Sequence, residues 1–304
     1  LIAIAGFYFA NMSMIAFESI ETLALIIASY WLISFTMLAL AYQRDKPIRD
    51  IRWFQKSSSG RLTVYTWMKF APIIIIYNGM SFLGQWYFKV FSKGQKYPLT
   101  PYAISESLTV VASPRLMQTD LSRHLTYWLF GYDLLERSIV PEKLPYSVYC
   151  QIIVVDLAAE ISSHAHNLKI AANSSVSTTV HYLYLPLLDL QPLNDVLLQD
   201  YIDLFKQIDA LIRSAETQAF VTNNKDKVEG SFITLINFHC VMGLSRSIGV
   251  QVLYLLYCGT LTVYNYQSWI EQHYPHAHLK DVYLPQSLIE TMATYKSVTY
   301  STAS

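Results

Sequence analysis

Residues 239–247 read His-Cys-Val-Met-Gly-Leu-Ser-Arg-Ser, with Cys240 six residues before Arg246, Gly243 between them and the hydroxyl of Ser247 after. The run Phe232–Phe238 reads as a buried strand, and Ile248–Leu256 as a buried helix. A loop that joins a strand to a helix N-terminus turns several backbone amides toward one point. It adds the positive end of the helix dipole, so it is suited to bind phosphate. The same surroundings favour the thiolate form of a cysteine placed there. Nucleophile and anion site then coincide, as phosphoryl transfer to sulfur requires.

Such a loop needs a sheet to carry it. Leu108–Ala112, Gln151–Leu157, Tyr182–Leu188 and 232–238 are short apolar or β-branched runs. Between and after them, 194–220, 246–258, 264–274 and 285–294 show helical spacing. In 194–220 the residues Leu197, Tyr201, Leu204, Phe205, Ile208, Leu211 and Ile212 share one face, and Asn194 or Asp195 can cap the start. The alternation predicts an α/β domain over 102–295, a mostly parallel central sheet flanked by helices. The polar stretches 161–180 and 221–230 are expected to be surface loops, and 296–304 a tail.

The oil lies at the other end. Hydrophobic residues make up 53% of the 304 and charged ones only 14%, and the apolar excess is concentrated in the first hundred. Leu1–Phe17 and Ile20–Tyr42 are apolar, with Glu18 and, at the start of the second, Glu21 marking the connection, which predicts a helical transmembrane hairpin over 1–43. Residues 44–61 carry Arg44, Lys46, Arg49, Arg52, Lys56 and Arg61 against Asp45 and Asp50, an excess that orients this side to the cytoplasm. Leu62–Phe91 mixes Ile73–Ile76 with Lys69, Pro72, Asn78 and Lys89, and predicts an interfacial or re-entrant helix, with a third span as the alternative. The proline-bearing stretch 92–101 closes this juxtamembrane segment (44–101) as a linker. A net charge of zero gives no reason to expect nucleic acid as a partner. Three widely spaced cysteines suggest neither a disulfide framework nor a zinc site, and fit a reducing compartment.

The stretch His239–Ser247 resembles the signature of the cysteine-based protein tyrosine phosphatase superfamily, in its dual-specificity branch. Ile104–Val110 resembles the opening strand of these domains. Val155–Glu160 and Tyr184–Leu190 resemble the segments that precede the loop in bacterial members, and the apolar front end with Phe54-Gln-Lys and Gly60-Arg-Leu is similar to the membrane-anchored ones. The resemblance implies that Cys240 attacks phosphorus and forms a phosphocysteine. It implies that the amides of 241–246 (Val241, Met242, Gly243, Leu244, Ser245, Arg246) hold the equatorial oxygens while Arg246 forks onto two of them. Ser247 would donate to the sulfur as it leaves, and His239 would hold the loop. The leaving oxygen needs a proton, and Asp189 matches the family's acid, with Asp195 as the backup. No metal or cofactor is implied. The expected location is the bacterial inner membrane, with the catalytic domain facing the cytoplasm and the lipid bilayer as a partner.

Residues left over have quieter readings. Cys150, Cys258 and Asp156 are expected to be structural. His164, His166, His273, His276 and His278 read as surface histidines, and Asn173-Ser-Ser as a sequon without use in the cytoplasm. The variable loop positions Val241, Met242, Leu244 and Ser245 include no basic residue, so a polyphosphorylated head group is disfavoured. Phosphotyrosine and phosphoserine/threonine proteins are the expected substrates. A lipid phosphate resembling phosphatidylglycerophosphate is the alternative, and a non-catalytic phosphate-binding membrane module is a second one.

Overall fold

The computed structural model describes residues 20–42, 54–57, 60–91, 102–114, 148–159, 176–188, 192–226, 231–241, 243, 245–275, 277, 279 and 283–295. The first apolar stretch, the basic residues 44–53, the linker 92–101, His164, His166, the 173–175 sequon, Asp189, Met242, Leu244, His276, His278 and the tail lie outside the described residues.

Among the described residues five strands form one sheet: β1 (Tyr102–Ser105), β2 (Leu108–Pro114), β3 (Val148–Ala158), β4 (Val176–Leu187) and β5 (Ser231–Cys240), in the order β1-β2-β5-β3-β4. β1 is antiparallel to β2, and the other pairings are parallel. Strands of a parallel sheet are covered on both faces, and β3 shows it: Cys150 to Ala158 are all buried. Among the described residues β5 is the last strand in sequence and the middle one in space. In register, Pro114 of β2 lies beside Cys240, and Asp156 of β3 beside His239. The carboxyl end of this central strand is where open α/β sheets bind ligands.

The helices are α1 (Ile20–Tyr42), α2 (Val64–Phe91), α3 (Leu198–Asp226), α4 (Arg246–Tyr257), α5 (Tyr266–His273) and α6 (Gln286–Thr294). Tyr201, Phe205, Ile208 and Ile212 of α3 join one core with Val250, Val252 and Leu253 of α4 and Val155, Ile236 and Phe238 of the sheet. All twelve residues of α4 are buried, because it is packed against β2, β5 and α6. Several boundaries differ from those expected, among them the end of α3, which runs to Asp226 through residues 221–226 expected to be loop. Asn194 and Asp195 stand in a 3-10 turn, Leu193–Asp195, and α3 begins only at Leu198, so neither residue caps it. β4 starts at Val176, inside a stretch expected to be loop. Its Thr178 and Thr179 are β-branched and pair with Cys150 and Gln151, and a half-buried edge strand accepts such residues.

Thr22–Leu40 of α1 is long and apolar enough to cross a membrane, with a mean hydropathy of 2.1 and only 6% of it buried. α2 is kinked at Phe70 (φ −126°, ψ 18°), two residues before Pro72. Proline has no N–H for the carbonyl four residues back, which is that of Met68. The Tyr30 hydroxyl of α1 donates to that carbonyl at 2.9 Å, and Ser34 Oγ donates to the next, Lys69, at 2.8 Å. The kink is thus satisfied from α1. On its inner side, Phe70, Ile73 and Ile74 are buried with Phe54, Leu62, Ala159 and Leu188. On its outer side Met68, Ile75, Met80 and Leu83 are exposed. The segment expected to lie at the bilayer interface therefore presents one side to the sheet domain and an apolar side outward.

Candidate active site

β5 delivers His239 and Cys240 at its end, and α4 begins at Arg246 with Ser245 at its cap. Gly243 has φ 70°, in the left-handed region where a side chain is disfavoured. That turn brings its N–H back to donate to Cys240 Sγ at 3.1 Å. Ser247 Oγ, from the first turn of α4, is 3.4 Å from the same sulfur. The sulfur thus sits between an amide of the loop and a hydroxyl of the helix, at the positive end of α4. Arg246 is buried, and its Nη1 donates to the carbonyl of Leu187, at the end of β4, at 2.7 Å. Close packing fixes where α4 starts. Gly249 N donates to Ser245 O at 2.8 Å, and a Cβ on Gly249 would lie 2.4 Å from Leu193 Cδ1 in the 3-10 turn. On the other flank Ser113 Oγ of β2 donates to Asn237 Oδ1 of β5 at 2.7 Å.

Beneath the loop lies a buried polar network. Asp156 Oδ1 accepts from the Ala158 N–H at 3.0 Å and is 3.6 Å from His239 Nε2. Its Oδ2 accepts from the Tyr182 hydroxyl at 2.8 Å and from Lys56 Nζ at 2.5 Å. The Lys56 ammonium also donates to the Ala158 carbonyl and lies 4.6 Å from the centre of the Tyr184 ring. Burial, and then the Asp156 charge and hydrogen bond, push the Tyr182 hydroxyl far above its ordinary range, so it stays protonated and donates to the carboxylate. From sequence alone Asp156 is expected to be structural, and Lys56 is one charge of an orienting run. The two meet across a hundred residues, and no local pattern signals the pairing.

The structure brings Cys240, Gly243, Ser245, Arg246 and Ser247 together, with His239 below and Val241 packed against Ala158 and Tyr77. Met242, Leu244 and Asp189 lie outside the described residues. The strand that leads toward Asp189 ends at Leu187, whose carbonyl touches Arg246. Asp195 belongs to the 3-10 turn. Cys150 and Cys258 are buried thiols: burial pushes Cys150 up to about 12, and burial with the nearby Asp209 charge pushes Cys258 well above its ordinary value. His273 is half-buried, stacked on Trp269, with Nδ1 2.9 Å from the Trp269 carbonyl. Among the described residues no group of three or more His, Cys, Asp or Glu could hold a metal ion. A groove of about 460 Å³ lined by Tyr266, Gln267, Glu271, Tyr274 and Leu284 includes no residue of the loop.

No protein-family model and no curated protein matches this sequence. Among solved structures the chain is similar to Tk-PTP in its active form, at 14% identity over 66% of this chain and 99% of that one, TM-score 0.37. It is similar to PTPMT1 in complex with PI(5)P, at 13% identity over 64% and 97%, TM-score 0.36. It is also similar to the human tyrosine phosphatase-like serine/threonine/tyrosine-interacting protein, at 15% identity over 64% and 97%, TM-score 0.35.

Proposed function

We propose that the chain is a membrane-anchored phosphatase of dual-specificity type that hydrolyses phosphate monoesters through a phosphocysteine. One observation carries the reading: Cys240 Sγ, at the end of the central strand, is held by the Gly243 amide and faces the Ser247 hydroxyl one helix start away. A purely binding loop has no use for a sulfur at that point. In the first step Cys240 attacks phosphorus, the ester P–O bond breaks, and Asp189 gives its proton to the leaving oxygen. The loop amides and Arg246 take up the charge of the equatorial oxygens. In the second step water attacks the phosphocysteine, Asp189 takes a proton from that water, and the S–P bond breaks. Ser247 donates to the departing sulfur. Phosphate leaves and the thiolate is restored. Asp189 carries this role from the family resemblance and from its place two residues after Leu187.

α1 is the proposed anchor, in the bacterial inner membrane with the sheet domain on the cytoplasmic side. Phosphotyrosine and phosphoserine/threonine proteins are the proposed substrates. A lipid phosphate monoester is a second reading, favoured by one contact. Tyr77 of α2 packs on Val241, while Ile75, Met80 and Leu83 of the same helix are exposed, so an apolar surface adjoins the loop. Anchoring confines either substrate to the same surface and raises its effective concentration. The test uses the full chain in lipid nanodiscs with p-nitrophenyl phosphate. Turnover falls to background in Cys240→Ser and by about 10²–10³ in Arg246→Lys, whose ammonium cannot fork onto two oxygens. Undiminished turnover in both variants would refute the proposal. Comparing phosphatidylglycerophosphate with a phosphotyrosyl peptide, in the same nanodiscs, decides between the two substrate classes by the larger kcat/KM.

A further inference from the structure

Both neighbours of Cys240 in sequence are held by the segment between the apolar helix and the sheet domain. His239 faces Asp156, which is bridged by Lys56. Val241 packs against Tyr77. We propose that Lys56 is a positioning residue for the catalytic loop, acting through Asp156 and His239, so that the juxtamembrane segment is part of the catalytic unit. This rests on the phosphatase reading above.

The Lys56 side chain is wholly buried, as is that of Asp156. A buried ammonium is tolerated only where it is paired and its remaining protons are accepted. Lys56 meets that condition through Asp156 Oδ2, the Ala158 carbonyl and the face of Tyr184. The apolar contacts beside it, with Phe54 stacked on Phe70 at 4.5 Å, need no charge at this point. What the charge does is fix the carboxylate. With Oδ2 taken by Lys56 and Tyr182, and Oδ1 taken by the Ala158 amide, Asp156 has one orientation, and it sets Oδ1 toward His239 Nε2. The backbones of Asp156 and His239 are already paired in register, so the main chain of His239 is held and its ring is faced by the carboxylate. The next residue is the nucleophile. The Tyr184 hydroxyl, donating to the Phe54 carbonyl at 3.4 Å, ties the lysine's own strand of chain to β4.

The test uses the full chain in nanodiscs and two variants, Lys56→Met and the double variant Lys56→Met with Asp156→Asn. The double variant leaves no lone buried carboxylate and decides the matter if the single one does not fold. The readout is the rate constant, not the amplitude, of Cys240 carboxymethylation by iodoacetate, followed by mass spectrometry beside kcat for p-nitrophenyl phosphate. Mere loss of folded protein changes the amplitude and leaves the rate constant of the folded fraction alone. The expected result is a rate constant and a kcat both lower by about ten-fold or more, the scale of a displaced reacting group. A folded variant in which both stay within about two-fold of the parent chain overturns the proposal. If the parent chain alkylates at Cys240 but turns over no phosphate ester, the phosphatase reading fails, and the alkylation rates still judge Lys56.

Discussion

At the scale of the residue, the groups around each sulfur separate three cysteines that are all buried. Cys150 and Cys258 are held as thiols by their apolar surroundings, Cys150 up to about 12. Cys240 has the Gly243 amide and the Ser247 hydroxyl aimed at its sulfur, at the start of α4. Iodoacetate at neutral pH is therefore expected to modify Cys240 first, with the other two protected until the chain unfolds; peptide mapping that finds Cys150 or Cys258 labelled first would contradict this. Gly243 is the other decisive residue. A side chain in its left-handed conformation costs about 1–2 kcal/mol, and relaxing that strain would withdraw the amide from Sγ. Gly243→Ala should lower kcat by about ten-fold or more, measured by steady-state kinetics on protein whose unfolding midpoint is recorded alongside. Cys240, Gly243, Arg246 and Ser247 were legible in the sequence because they fall within eight residues of one another. Lys56 and Asp156 were not, since their pairing exists only after the sheet and the front end come together.

At the scale of the element, periodicity identified the strands and helices that bear the loop, because continuous apolar runs and one-sided helical faces are direct consequences of burial. It misplaced the starts of β4 and α3. β4 begins in polar sequence whose structure depends on pairing with β3, and α3 begins only after a 3-10 turn held by its surroundings, where Tyr201 Oη donates to the Leu193 carbonyl at 2.8 Å. Gly249 shows what that turn does for the site: Leu193 occupies the space where its Cβ would be. Gly249→Ala is expected to destabilise the protein by about 1–3 kcal/mol, the range for overpacking a core, and to shift the start of α4. Denaturant unfolding measures the first effect. A variant as stable as the parent would mean that Leu193 moves aside freely.

At the scale of the whole molecule, the apolar front end does more than supply a membrane address. α1 caps the carbonyls released by the kink in α2, α2 buries Phe70, Ile73 and Ile74 against the sheet domain, and the segment before it inserts Lys56 beneath the loop. The sequence showed an apolar, basic and then mixed segment, and from it a division of the chain near residue 101; the contacts across that division came from the fold. A protein beginning at residue 44 keeps Lys56 and Phe70 and should retain turnover. One beginning at residue 95 loses both, uncovers Ala159 and Leu188, and should fall by about ten-fold or more in kcat. Equal activity in the two truncations would argue that the segment has no part in catalysis. The phosphocysteine itself can be sought directly, by quenching the full chain in acid during turnover and locating the phosphoryl group by mass spectrometry. The expected result is phosphate on Cys240, accumulating further in Ser247→Ala, whose sulfur has lost its donor. Turnover with no phosphate on Cys240 in either protein would contradict the mechanism.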